Sequence, residues 1–210
     1  MKKSLLAMAV ALATVNVAHA ETSGFYLGGQ LGSGFIEMDL KKETIRDIEQ
    51  HFTAKQSKLV GAINVGYNFK SQFDLPIRTE LSYTARDKAA FKGIDNNEEF
   101  TVKHRLNSLM FNTYYDIYTG SNFTPYISLG LGTAFLKTTL AEGVYDSSTI
   151  KKRNFAYSTA LGVNYKIADN WSADIMARGT YNGKFTNTDD DAESSKSQTY
   201  DVMVGLLYNF

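Results

Sequence analysis

Tyr200-Asp201-Val202-Met203-Val204-Gly205-Leu206-Leu207-Tyr208-Asn209-Phe210 is the stretch whose reading decides the fold. Tyr200, Val202, Val204, Leu206, Tyr208 and Phe210 are apolar or aromatic, and the residues between them are mostly polar or small. Successive side chains of a strand point to opposite faces, so this segment is greasy on one face only. A period of two predicts a strand rather than a helix.

Working toward the N-terminus, the same period recurs. Phe25, Leu27, Leu31 and Phe35 stand against Gly28, Gln30, Gly32 and Gly34. Leu59, Ile63, Val65, Tyr67 and Phe69 stand against Ala62, Asn64, Gly66 and Asn68. Further alternating runs cover 77–85, 109–117, 127–135, 155–167 and 171–181, which makes eight strands with the terminal one.

Alternation alone also describes a soluble sandwich, so the second face has to separate the two. A sandwich turns that face to water and fills it with Lys, Glu and Thr. Here it carries glycine, serine, alanine and asparagine with isolated charges, which suits a narrow enclosed lumen. The apolar face has aromatics near the strand ends. Phe69, Phe123, Trp171, Tyr208 and Phe210 fall at one rim, with Tyr83, Phe155, Tyr181 and Tyr200 toward the other. An aliphatic band between two aromatic girdles predicts an all-β, eight-stranded, antiparallel, up-and-down transmembrane barrel.

Connections alternate between short (70–75, 118–123, 168–170) and long (38–57, 87–100, 138–152, 184–198). This predicts short periplasmic turns, four extracellular loops and both termini on the periplasmic side. Segments 37–58, 86–103, 137–153 and 184–196 hold fifteen basic and fifteen acidic residues. A Lys or Arg facing lipid at mid-bilayer costs about 2–4 kcal/mol, so charge is displaced to rims, lumen and loops.

The full chain has 210 residues, 43% of them hydrophobic, and no formal net charge. That apolar content excludes a disordered chain, and zero net charge gives no electrostatic case for nucleic acid. Without cysteine, disulfides, zinc–thiolate sites, iron–sulfur clusters and cysteine nucleophiles are all excluded. Lys2 and Lys3, the apolar run Leu5 to Val17 and the Ala18-His19-Ala20 site read as a cleaved signal peptide over 1–20. The apolar run is too short for a spanning anchor. What remains is a mature outer-membrane barrel domain over 21–210.

A terminal Phe210 on alternating aromatics resembles the insertion signal of outer-membrane barrels. Phe123-Thr124-Pro125-Tyr126-Ile127, Ala160-Leu161-Gly162-Val163-Asn164-Tyr165-Lys166-Ile167 and the closing strand together resemble the opacity-protein family of small outer-membrane barrels. The resemblance covers the mature chain and is strongest from Asn107 onward. It implies a surface adhesin that grips host receptors through its loops, in a group also classed as porins. No loop pattern here names a receptor.

Arg78, Glu80, Asp116, Lys166, Asp174 and Arg178 fall on the lumen face. Eight strands leave room only for side chains to fill the interior, so these charges are expected to pair. Arg78 should meet Asp116 on the neighbouring strand, Lys166 should lie diagonal to Asp174, and Glu80 should meet Arg178 across the lumen. Two readings stay open, a salt-bridged plug and a gated path of small conductance.

In the first loop, apolar residues at 45, 48 and 52 have helical spacing, for a short helix capping the mouth or a solvated loop. Asp189, Asp190, Asp191 and Glu193 lack the alternate ligands and turn glycine of a calcium loop, so no metal is expected. Lys151-Lys152-Arg153, at the base of the third loop, suits sulfated glycans or lipopolysaccharide phosphates, or is a solvated rim. The mature histidines are His51 and His104. Neither Ser82 nor Thr84 is obviously level with His104, and no G-x-S-x-G elbow is present. No enzyme and no cofactor are therefore expected. The expectation is a monomeric adhesin at the surface of a bacterial outer membrane, in contact with its lipid and lipopolysaccharide and with a host-cell receptor or glycan. A small passive porin or structural barrel is the alternative, and a lipid-modifying enzyme a more distant one.

Overall fold

Alternation builds strands that run further than the sequence suggests. The computed structural model describes residues 24–40, 52–87, 89–95, 98–142, 146–186 and 194–210. Residues 1–20, expected as a cleaved signal peptide, residues 41–51 of the first loop with His51, and the acidic run at 189–193 lie outside them.

The strand segments are β1 (Phe25–Leu40), β2 (Phe52–Asn68), β3 (Ile77–Arg86), β4 (Ala89–Asp95), β5 (Glu98–Asp116), β6 (Phe123–Glu142), β7 (Asp146–Lys166), β8 (Trp171–Thr186) and β9 (Ser194–Asn209). A single helical turn, α1 (Lys70–Phe73), joins β2 to β3. It ends on Asp74 at φ 55, whose N–H donates to the Lys70 carbonyl at 3.2 Å. The strand order is β3-β2-β1-β9-β8-β7-β6-β5-β4, and a further β3–β5 pairing closes the ring.

β3 and β4 lie along the same flank of β5. The β3 ladder ends at Thr84↔Ser108 and the β4 ladder begins at Ala89↔His104. Five steps from 84 to 89 face four from 108 to 104, so one extra residue forms a bulge between them. The two segments make one stave, and the barrel has eight. β1 and β9, first and last, form the closing seam, with Leu31 opposite Val204 and Phe35 opposite Tyr200.

The two faces are inverted relative to a soluble fold. Outward Leu129, Leu161 and Phe155 are 71%, 65% and 65% exposed, whereas inward Thr84 and Asp201 are 0% and 1% exposed. At the short-turn rim the aromatics touch in chains. Phe25–Tyr67 and Tyr67–Phe69 centroids are 4.9 Å apart, Trp171–Tyr208 5.0 Å, Tyr208–Phe210 5.1 Å and Phe123–Tyr165 4.7 Å. All but the tilted Phe123–Tyr165 pair are edge-to-face, which suits ring quadrupoles. Phe210, read as the insertion signal, sits in this girdle, and its N–H donates to the Phe25 carbonyl at 3.0 Å. Tyr83, Phe155, Tyr157 and Tyr200 form the outward-facing girdle nearer the other rim.

Much of what reads as long loops is strand. β6 and β7 pair out to Glu142↔Asp146, which leaves 143–145 between them where the sequence reading placed 138–152. β1 and β2 pair out to Leu40↔Phe52, β4 and β5 to Asp95↔Glu98, and β8 and β9 to Thr186↔Ser194. Outside the bilayer both faces meet water, so ladder hydrogen bonds keep the strands going without an apolar face to mark them.

The wall also divides. The β2–β3 ladder stops at Val60↔Arg86 and the β7–β8 ladder at Tyr157↔Tyr181. In β8 the register shifts between Tyr181 and Lys184, around Gly183 at φ 84, a conformation glycine adopts without steric cost. Beyond these rungs, among the described residues, the wall continues as two four-stranded sheets, β8–β9–β1–β2 and β4–β5–β6–β7.

Candidate functional site

Alternation sends every second side chain of each stave inward, and these side chains form two charged layers. In the first, Arg78 Nε donates to Asp116 Oδ2 at 2.7 Å. The Arg78 guanidinium also lies over three tyrosine rings, 4.6 Å from the Tyr114 centroid, 5.1 Å from Tyr126 and 5.8 Å from Tyr26. A flat cation on ring faces gains electrostatic attraction that grows as water is excluded. The same phenols serve the acids. Tyr114 and Tyr26 donate to Glu80 at 2.8 and 3.0 Å, and Tyr126 donates to Asp174 at 3.0 Å. Gln30 Nε2 also donates to Asp174, at 2.9 Å, and Asn64 Nδ2 to Glu80 at 3.2 Å. Two lumen glycines make room for these rings. A Cβ on Gly66 would collide with the Tyr26 ring, and one on Gly162 with the Tyr126 hydroxyl and the Ile175 carbonyl.

The second layer lies toward the far rim. Arg86 Nη2 and Arg178 Nη2 both donate to Asp201 Oδ2, at 2.6 and 3.0 Å. Arg178 also donates to Thr84 Oγ1 at 3.2 Å. The layers carry opposite excess: three carboxylates to one guanidinium in the first, two guanidiniums to one carboxylate in the second. Val60, Ala62, Ala160, Met176 and Met203 form a buried apolar cluster, and Met176 stands midway between Asp174 and Arg178 along β8. Leu106, Met110, Ala134 and Ala156 form another such cluster.

The structure thus brings Arg78 and Asp116 together, as the sequence reading paired them, and separates the other two expected pairs. Lys166 is no member of the network. It is exposed at the short-turn mouth, and its Nζ reaches Asp169 Oδ1 at 3.1 Å, because beyond the last rung water solvates the ammonium without desolvation. Glu80 and Arg178 lie in different layers, and two phenols and the side-chain amides of Asn64 and Asn112 take the place of a cation at Glu80. Sequence reasoning missed Arg86, which it counted into a loop, and Asp201, which sits on the inward face of the very strand that decides the fold. At the same mouth a cavity of about 210 Å³ is lined by Arg78, Asp116, Lys166 and Tyr118 among others. The Tyr118 phenol, in the turn after β5, is pushed above its ordinary range by partial burial and next by the Asp116 carboxylate.

Ser82 Oγ accepts from Asn112 Nδ2 at 2.9 Å, and Thr84 is taken by Arg178. Among the described residues no group of three His, Asp or Glu could hold a metal ion.

On the outer face, the basic run of the sequence is split by its strand. Lys151 and Arg153 are exposed on the outward side of β7, with Lys152 half-buried on the inward side. The run lies within the β6–β7 ladder, opposite Lys137, Leu136 and Phe135, rather than at the base of a loop.

Comparison with known proteins places this architecture. Outer membrane protein PagN of Salmonella typhimurium is 29% identical over 216 residues, covering 89% of this chain and 90% of PagN. A Rickettsia conorii protein named as a candidate adhesin is 30% identical over 140 residues, 61% of this chain and 55% of that protein. Among solved structures, Neisserial surface protein A superposes with a TM-score of 0.57 at 18% identity, covering 90% and 98% of the two chains. Ail, the attachment invasion locus protein of Yersinia pestis, was solved with the heparin analogue sucrose octasulfate. It superposes at 0.53 and 15% identity, covering 89% and 99%. The model of the outer membrane protein beta-barrel domain matches residues 4–210. The chain belongs to that family, and its place is the surface of a bacterial outer membrane.

Proposed function

We propose that this protein is an adhesin, a plugged barrel that anchors a raised, strand-built platform at the cell surface. The observation that carries the reading is strand length. A tilted strand needs about 9–11 residues to cross the hydrocarbon core, whereas β6 and β7 have 20 and 21. The surplus projects beyond the girdle of Tyr83, Phe155 and Tyr200 as two sheets, on a base whose lumen is filled. Rigid scaffolds commonly carry binding segments in this way. The relatives PagN and the rickettsial protein support a role at the surface, and the sulfated ligand of Ail makes sulfated glycans the first class of partner to try. No catalytic step is assigned to any residue.

The test is adhesion of non-adherent bacteria displaying the protein. Shortening the β6–β7 projection by removing residues 140–148, which leaves four residues to turn the chain above Lys137 and Lys151, should abolish attachment to cultured cells while heat-modifiable mobility on gels shows that the barrel still folds. Attachment unchanged by that deletion, and by equivalent trimming of β1–β2, β4–β5 and β8–β9, would overturn the reading.

A further inference from the structure

The outward face of β5–β6–β7 carries a row of cations that the adhesin reading does not use. Arg105 stands opposite Lys137, and Lys137 opposite Lys151. All three are exposed, on the side where Leu109, Leu131 and Phe155 point. Adjacent strands are about 4.8 Å apart, so three positive charges share a lateral span of about 10 Å. Arg153 adds a fourth on the next outward rung, its guanidinium 5.6 Å from the centroid of the Phe135 ring across the ladder. Like charges directly opposite each other on a sheet repel, yet none of the four forms an ion pair with another described residue. An anion held over this surface would offset that repulsion.

Position identifies the kind of anion. Phe155 and Tyr157, two and four residues down β7 from Arg153, belong to the exposed aromatic girdle. That puts the cations just above the hydrocarbon, on the lateral wall. Lower on the wall and to one side, across β7, β8 and β9, lies a groove of about 410 Å³ walled by Leu129, Tyr157, Tyr181 and Tyr200. The small residues Gly179 and Thr159, opposite each other in the β7–β8 ladder, form its floor. A Cβ on Gly179 would meet only the Tyr200 ring, at 3.7 Å, so the notch is open space in the lipid-facing wall. A basic head region above an apolar slot fits an amphiphile with phosphates at one end and acyl chains at the other. A soluble sulfated glycan would leave the slot unused.

We infer that the β5–β6–β7 outer face, with the groove at Gly179, binds a multiply phosphorylated, multiply acylated lipid of the outer leaflet. Phosphates bridge Arg105, Lys137, Lys151 and Arg153, and one acyl chain lies against Tyr157, Tyr181 and Tyr200. Each basic residue near a charged lipid surface contributes on the order of 1 kcal/mol, so Lys137→Gln with Lys151→Gln should weaken binding about thirtyfold.

The experiment is native mass spectrometry of the full-length barrel in mild detergent, titrated with diphosphoryl lipid A and, separately, with phosphatidylethanolamine. Lipid A should bind more tightly than phosphatidylethanolamine and weaken as salt is raised. K137Q/K151Q should lose that preference, and the uncharged Gly179→Leu should weaken both lipids by filling the slot. Heat-modifiable mobility checks that each variant is folded, and the salt dependence of the unmodified protein stands if one is not. Lipid A binding that is unaffected by salt, or equal in the unmodified protein and K137Q/K151Q, overturns the inference. So does loss of a heparin oligosaccharide, with lipid A retained, in the same variant. Adhesion lost in the strand-trimmed proteins above leaves this site intact, so the two proposals fail separately.

Discussion

Arg78 donates to Asp116 at 2.7 Å while its guanidinium plane rests 4.6 Å from the Tyr114 ring centroid, so one side chain neutralises an acid and packs an aromatic cage. Replacing it with Leu leaves Asp116, Glu80 and Asp174 inside the lumen without their cation. Removing one partner of a buried pair costs about 3–5 kcal/mol, and urea unfolding from lipid vesicles should register a loss of that size for Arg78→Leu. Arg78→Lys should recover part of it, because an ammonium keeps the charge and loses the flat stacking surface.

The second layer predicts an asymmetry. Asp201→Asn leaves two guanidiniums without a carboxylate, whereas Arg178→Met leaves Arg86 still paired with Asp201. The acid substitution should therefore destabilise more than the base substitution in the same unfolding assay. Equal effects would mean that the shared carboxylate is not what holds the layer.

Glu80 accepts from Tyr26, Tyr114 and Asn64, and each buried donor left without an acceptor costs about 1–3 kcal/mol. Glu80→Ala should lower stability while conductance in planar bilayers stays at the level of the unmodified protein. A rise in conductance with stability unchanged would favour a gated path over a plug.

Gly162→Ala should act at a distance, by pushing the Tyr126 phenol off Asp174. Overpacking costs about 1–3 kcal/mol, and the intrinsic fluorescence of the tyrosines should change with it. By contrast, Lys166→Met at the exposed mouth should shift stability by less than about 0.5 kcal/mol.

The stave count, the lipid-facing set and both girdles were legible because hydrocarbon on one side and a narrow lumen on the other force a period of two. That constraint ends where the membrane does. Beyond it the sequence of β6 and β7 no longer alternates between apolar and polar, so 138–142 and 146–152 read as loop although they are laddered strand. The lumen shows the same limit. Each side chain's face follows from parity, but its partner depends on register and reach around a closed ring. Arg78–Asp116 could be read because its strands are adjacent. Arg86–Asp201 could not, because β3 and β9 meet only through the interior. The basic run Lys151-Lys152-Arg153 illustrates a third limit: neighbours in sequence part to opposite faces, and the functional row forms across strands, with Arg105 and Lys137.

Asp201 lies in β9 and borders the seam that β9 forms with β1, while Arg86 comes from the third stave. Until the cylinder is sealed, Arg86 has no counter-ion to follow it out of water. Circularisation and charge cancellation are therefore a single event, and a chain arrested with its ends unzipped carries a naked arginine that keeps it from settling as a stable open sheet.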